Sequence, residues 1–514
     1  MRYKFVSILT FFWLFALTLL ATSVFGQETK YIIDATLNVE KESIEVKQQI
    51  SFTNQDSKKI NFLYLQDWIN AYKNTKTPLA KRFAEDFNRK FHLSSKSKRG
   101  FTMLDSISDI DHPLVWDRLD TQPDIIKVFL PKYLNPGDTI ILSLSYVIKI
   151  PDSKFTGMGI NDNQRVYLNH WNISIAPFIK GSWLLQSNLN LNDFSGNPSD
   201  YEVTWHYPEN YFLTSNLIET ETVIDNTKKH TSFTDFKRIQ ADFIFNTTNR
   251  FTSIKLENGK EVVTDLLPPD AINVDLKKTL ERVVKYADTR FSPFPNEKVL
   301  ILKSNYDKNP FYGLNQLQTE VQISKNKSID IKFFSDTFFY EIKFLKAYFG
   351  RYLNQNLVID KRKKHWIVGG IQTYAMIKYI ENFYPNEKML GSLANFKIFN
   401  IQLLKNHSAS KIKFNDAYEF IYEFVEHSNI HQADLLTKDK LSKINEKIAS
   451  PNHVGIGLRY IETSQNSQWL PKILKTYLTA KGDLDFESLL RTSDQSIDWF
   501  LNDYLGKRKS FDIK

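Results

Sequence analysis

Up to about residue 255 the apolar side chains of this 514-residue chain alternate with polar ones, and beyond it they return at helical spacing. Side chains two apart share a strand face, and side chains three or four apart share a helix face. One change of period therefore divides the chain into a β part and a part rich in helices. The clearest strand is expected over 139–150, where Ile140, Leu142, Leu144, Tyr146, Ile148 and Ile150 fall on one face behind the turn Asn135-Pro136-Gly137-Asp138. Ile44, Val46, Ile50 and Phe52 alternate in the same way, and further strands are expected over 200–205 and 238–245. We read residues 27–255 as an antiparallel β domain.

Beyond the change of period, a strand over 262–267 ends at Pro268-Pro269-Asp270, a candidate helix cap, before a helix over 273–291. Short buried strands are expected over 299–302 and 320–323, and helices over 336–353 and 369–383. From 395 to 514 the pattern is mostly helical, so the fold class is a multidomain α+β protein with a boundary near 394.

Several chemistries are excluded by composition. No cysteine occurs, which removes thiolate nucleophiles, thiolate metal sites and disulfides. The net charge of +9 is spread over interleaved acids and bases, which argues for a solvated surface and against a nucleic-acid footprint. Arg2 and Lys4 precede an uncharged apolar run over 5–26 that closes Val24-Phe25-Gly26 before the polar residues from Gln27. This is the pattern of a secretory leader cleaved near Gly26, so the chain is expected to be exported to a periplasm or cell surface, with no stable membrane span afterwards.

The order of parts, with phrases along the whole chain, resembles the aminopeptidase-N-like zinc metallopeptidases of the gluzincin class. Segments 31–39 and 60–72 look like that family's first strands, and Asp242-Phe243-Ile244-Phe245 resembles its DFAF-like strand. Gly313-Leu314-Asn315-Gln316 stands where the family has G-x-M-E-N. Trp366-Ile367-Val368-Gly369-Gly370, running to Tyr374, resembles W-L-x-E-G-x-x-x-Y, and 486–505 resembles its closing helices. The resemblance implies a thermolysin-like α/β domain over 256–394 and a helical domain over 395–514. It also implies a substrate cleft near Gly313, Asn315, Gln316, Glu320 and Tyr374.

The family's chemistry needs H-E-x-x-H on a helix, two histidines one turn apart holding zinc and a glutamate as general base, with a second glutamate one helix later. That motif is absent. In the register that places Glu341 at the general base, Tyr340 and Phe344 stand at the histidine positions and Gly369 at the downstream glutamate. A second register, anchored on Phe349-Gly350, puts Ile342 and Lys346 at the histidine positions. Gln316 replaces the glutamate that would hold a substrate amine. Without zinc no bound water is acidified for Glu341 to deprotonate. The reading is a non-catalytic pseudo-peptidase with no cofactor, binding a polypeptide or envelope partner along 313–323 by strand addition. The alternatives are an active zinc aminopeptidase whose site is unrecognised, and a purely structural surface module.

Other constellations are given structural roles. His427 and His431 are expected to be solvated at a helix end, and Lys361-Arg362-Lys363-Lys364-His365 to form a solvated connection. Gly455-Ile456-Gly457 reads as a tight turn, and Trp366 and Tyr374 as helix core, with Tyr379 and Tyr384 open to either core or groove.

Overall fold

A computed structural model describes residues 29–506, except 111, 180, 226, 269–271, 312–317, 325–326, 333, 392–396, 399–400, 403–409, 465–467 and 494–495, with the backbone alone for 318–324, 327–332, 397–398 and 401–402. The leader, Gly313, Asn315, Gln316 and the side chain of Glu320 lie outside the described residues.

The N-terminal part is built on a seven-stranded sheet. Its strands run in the order Ile218–Asp225, Lys228–Arg238, Ser199–Pro208, Thr29–Asn38, Ser43–Thr53, Thr139–Lys149 and Phe101–Ser108. Ile44 lies opposite Ile148 and Val46 opposite Tyr146, so the alternating faces meet in register, and all four side chains are buried. Two details differ from expectation. Thr29–Asn38 runs parallel to Ser199–Pro208, because these strands are far apart in sequence and no hairpin forces them antiparallel. The segment 238–245 is not one strand: Lys228–Arg238 and Phe243–Asn246 belong to different sheets. The break falls at fully buried Asp242, whose carboxylate accepts from Asn169 (2.6 Å), Gln240 (3.0 Å) and Arg351 (2.6 Å).

A three-stranded sheet follows, of Thr252–Lys255, Glu261–Thr264 and Lys298–Ile301. Its last two strands are parallel and are joined by helix α1, Val274–Arg290. Asn273 caps α1, its side chain accepting from the Leu276 amide at 2.8 Å, and the expected cap at Asp270 lies outside the described residues. This small sheet is buried on both faces. Val263, Leu300 and Leu302 pack into the core of the β part, and Val262, Val299 and Ile301 into the core of the helical part.

Helix α2, Asp336–Asn356, is capped by Ser335 and crosses α1. Helix α3, His365–Phe383, starts earlier than expected, directly after a turn at 361–364. Helix α4, Ser450–Ser464, contains Gly455 and Gly457, which therefore form no turn. They let helices approach instead: a Cβ on Gly455 would lie 2.6 Å from the Thr373 side chain, and one on Gly370 of α3 would lie 2.2 Å from Val454. Shorter helices at Asp416–His427, Trp469–Thr479 and Phe486–Leu490 complete the mostly helical end. Among the described residues, no helix is long and apolar enough to cross a membrane.

Candidate functional site

Helix α2 is apolar on most of its circumference, and its polar exceptions mark what it faces. Glu341 is fully buried and points toward α1 and α3. Its two oxygens accept from Arg282 Nη2 at 2.6 and 2.7 Å, and the hydroxyls of Tyr379 and Tyr384 donate one to each oxygen. Burial, then the adjacent Glu341 carboxylate, raises the Tyr379 hydroxyl above its usual range. A carboxylate enclosed by a guanidinium and two phenols has the partners of an internal ion pair. Phe344 is fully buried, and Tyr340 packs against the same core. Tyr374 is core as well, its hydroxyl accepting from Arg290 at 3.0 Å. The turn of α2 carrying Tyr340, Glu341 and Phe344 thus faces the interior.

The opposite side of α2 faces a cleft. Lys346 and Gly350 of α2, Gly369 and Gln372 of α3, and Pro451 and Asn452 of α4 line one cavity of about 140 Å³. A second cavity of similar volume continues past Lys346, Gly350 and Gln372 to Asn169 and His170 of the β part. The Gln372 amide donates to the Lys346 carbonyl at 2.8 Å, tying α3 to α2 across the floor. A Cβ on Gly369 would lie 3.0 Å from Pro451, so a longer side chain there would have to move α4. The structure therefore brings Lys346, a histidine position of the second register, and Gly369, the downstream-glutamate position of the first, to one cavity. Glu341, Tyr340, Phe344 and Tyr374 line neither cavity.

Among the described residues, the charged side chains lining the two cavities are nearly all cations: Lys308, Lys346, Arg351, Lys361, Lys438 and Lys447, with Glu446 the single acid. Some are neutralised. Arg351 pairs with Asp242 at 2.6 Å, Lys438 with Asp193 at 2.6 Å, and Glu446 with Lys443 at 2.8 Å. Three others donate to backbone carbonyls. Lys346 Nζ donates to the Pro310 carbonyl at 3.0 Å, Lys361 to the carbonyls of Phe194 (3.0 Å) and Asn354 (2.9 Å), and Lys447 to the Lys308 carbonyl at 2.7 Å. Burial lowers Lys346 and Lys308 to about 8, with neighbouring Lys447 adding to the effect. Burial lowers Lys361 to about 7, helped by Lys438.

The basic cluster at 361–365 is thus no solvated connection. Lys361 is buried, Arg362 pairs with Asp193 at 3.1 Å, Lys364 with Glu487 at 2.5 Å, and His365 donates to the Leu436 carbonyl at 2.8 Å. Of the two expected solvated histidines, His427 is exposed and ends its helix, but His431 is buried. His431 joins Asp434 and His453 in a buried group whose ligand-type atoms lie within 4.8 Å of one another. His453 is stacked between Tyr422 and Tyr504, with Nδ1 2.6 Å from Asp434 Oδ2. None of the three lines the cleft.

Sequence reasoning passed over Lys308, Gln372, Lys447 and Asn452, and weighed Lys346 only as a failed ligand. The available signal was weak: two lysines, Lys343 and Lys346, within the largely apolar middle of the helix.

No protein-family model and no curated protein matches this sequence. Solved structures do match over nearly the whole chain. An M1 zinc metallopeptidase from Deinococcus radiodurans has a TM-score of 0.57 and 12% identity, covering 94% of each chain. A mutant of the enzyme from that organism bound to a Tyr-Ser-Ala substrate has the same score and identity, covering 94% of this chain and 95% of that one. A two-domain M1 zinc metallopeptidase mutant bound to L-arginine has a TM-score of 0.52 and 11% identity, covering 91% and 90%. At these identities the likeness is one of architecture, and the chain has the aminopeptidase-like two-domain fold of the M1 zinc metallopeptidases.

Proposed function

We propose that this protein is an exported, non-catalytic relative of the zinc peptidases whose cleft binds polypeptide without cutting it. The observation that carries the reading is the pair Lys346 and Gly369 in one cavity. A catalytic zinc needs three histidine or carboxylate ligands and an open position. Lys346 puts an ammonium at a histidine position of one register, and Gly369 puts no side chain at the downstream-glutamate position of the other. Ile342, the other histidine position of the register with Lys346, is fully buried. Of the other potential ligands at the cleft, His365 is committed to a backbone carbonyl, His170 lies 3.1 Å from another, and Glu446 is held by Lys443. The described residues lining the cleft do not fit zinc, and a cation added beside Lys346 would meet repulsion. The apolar leader-like run before Gln27 supports export. The strand Gln318–Ser324 pairs with Lys327–Lys332 on one side, and its other edge, unpaired among the described residues, suits strand addition.

The test is elemental analysis and an aminopeptidase assay on protein recovered from cells producing the full chain, with intact mass read on the same sample. The expected result is a chain beginning at Gln27, less than about 0.1 zinc per chain, no hydrolysis, and measurable peptide binding. Stoichiometric zinc with turnover of peptide substrates would replace this reading with the enzyme.

A further inference from the structure

We propose that the cleft recognises a carboxylate on its ligand, with the Lys346 ammonium as the recognition group and Lys308 and Lys447 beside it. The proposal rests on reading the cleft as a binding cleft and names what it would select. Buried lysines ordinarily pair with acids or extend their heads into water. At this cleft the half-buried Lys346 and Lys308 line one cavity with Lys447 near both, and no acid of the described residues is paired to either. Lys346 uses one of its three N–H donors on the Pro310 carbonyl, which leaves two for a ligand. Holding such ammonium groups together in a partly dry site is unfavourable in the free protein and becomes favourable when an anion enters.

Three further observations narrow the ligand. The other polar residues at the cavity wall, Asn309, Asn354, Gln372 and Asn452, are amides, which can meet a peptide backbone in either sense. The single guanidinium, Arg351, is tied to Asp242, so the forked donor best suited to a phosphate is not offered. Each cavity, about 140 Å³, is well below the roughly 300 Å³ of pockets that enclose a drug-sized ligand. A chain end or one acidic side chain fits that space better than a folded surface does. The carboxylate would come from a polypeptide's C-terminus or from an internal aspartate or glutamate.

The experiment is calorimetric or fluorescence titration of the intact mature protein with three peptides of one sequence: a free C-terminal acid, its C-terminal amide, and an amide carrying one internal glutamate. The expected result is that an acid-bearing peptide binds about tenfold tighter than the neutral amide. The preference should disappear in Lys346→Met and weaken in Lys308→Met, both variants keeping the parent's melting temperature or exceeding it. The acid arm that binds tighter identifies the source of the carboxylate. Equal binding of all three peptides would overturn the carboxylate proposal and leave the polypeptide reading standing. Binding of acetate or inorganic phosphate at Lys346 with no peptide bound would overturn the polypeptide reading and retain the anion site. No binding of any probe would overturn both.

Discussion

Lys361 is 5% exposed and its ammonium is satisfied by two backbone carbonyls, not by an acid. With Lys346 and Lys308 it forms a set of amines whose charge the fold disfavours. Lowered to about 7, 8 and 8, they bind fewer protons when folded than an unfolded lysine near 10.5 does. Between those values the unfolded chain holds the extra protons, so stability rises with pH. The gain should appear from about pH 7 and continue toward 10. Above about 10 the sign reverses, because burial pushes hydroxyls such as Tyr31 up to about 12, and the folded chain then holds the extra protons. Melting temperature recorded at low salt from pH 7 to 11 should therefore pass through a maximum above pH 8.5. A steady fall across pH 7–9 would mean that these lysines are not held in a dry cleft.

At the scale of elements, the crossing of α3 and α4 depends on Gly370, whose missing Cβ is where the Val454 side chain packs. Glycine to alanine inside a helix ordinarily stabilises by about 1 kcal/mol. Here overpacking should dominate, so Gly370→Ala is expected to cost about 1–2 kcal/mol, and adding Val454→Ala should restore part of it. Midpoints of urea unfolding for the two variants and the double variant measure both effects. Such a crossing also shows what the sequence could tell. The alternation at 139–150 and the helical spacing at 273–291 were legible because one face of each is buried and the other solvated. Gly455 and Gly457 were read as a turn because a glycine supplied for helix contact looks the same as one supplied for chain reversal. Helix α2 was legible as a helix but not in its orientation: Tyr340, Ile342 and Phe344 are all apolar, so pattern alone could not say which turn faced the cleft. Asp242 hid the end of a strand because its partners, Asn169 and Arg351, are distant in sequence. The lysines of the cleft were hidden for the same reason, since a chain with 67 Lys and Arg offers no local mark for those that end up out of water.

For the whole molecule, the change of period near residue 255 reads as a boundary between two parts; the described residues form two cores, one mainly of strands and one mainly of helices. The division is incomplete at the three-stranded sheet. Val263 and Leu300 complete one core while their neighbours Val262 and Val299, on the same strands, complete the other. The same strands supply side chains to both cores from their two faces, so melting either core removes the wall of the second. Scanning calorimetry should then show one heat-absorption peak with matching calorimetric and van't Hoff enthalpies, not two separated peaks. A truncation ending at 255 should yield an aggregating fragment, because it removes Val263, Leu300 and Leu302 from the β core. Two lobes that share a wall can exchange mechanical load across it, so a chain pulled from its ends should give way in a single rupture event.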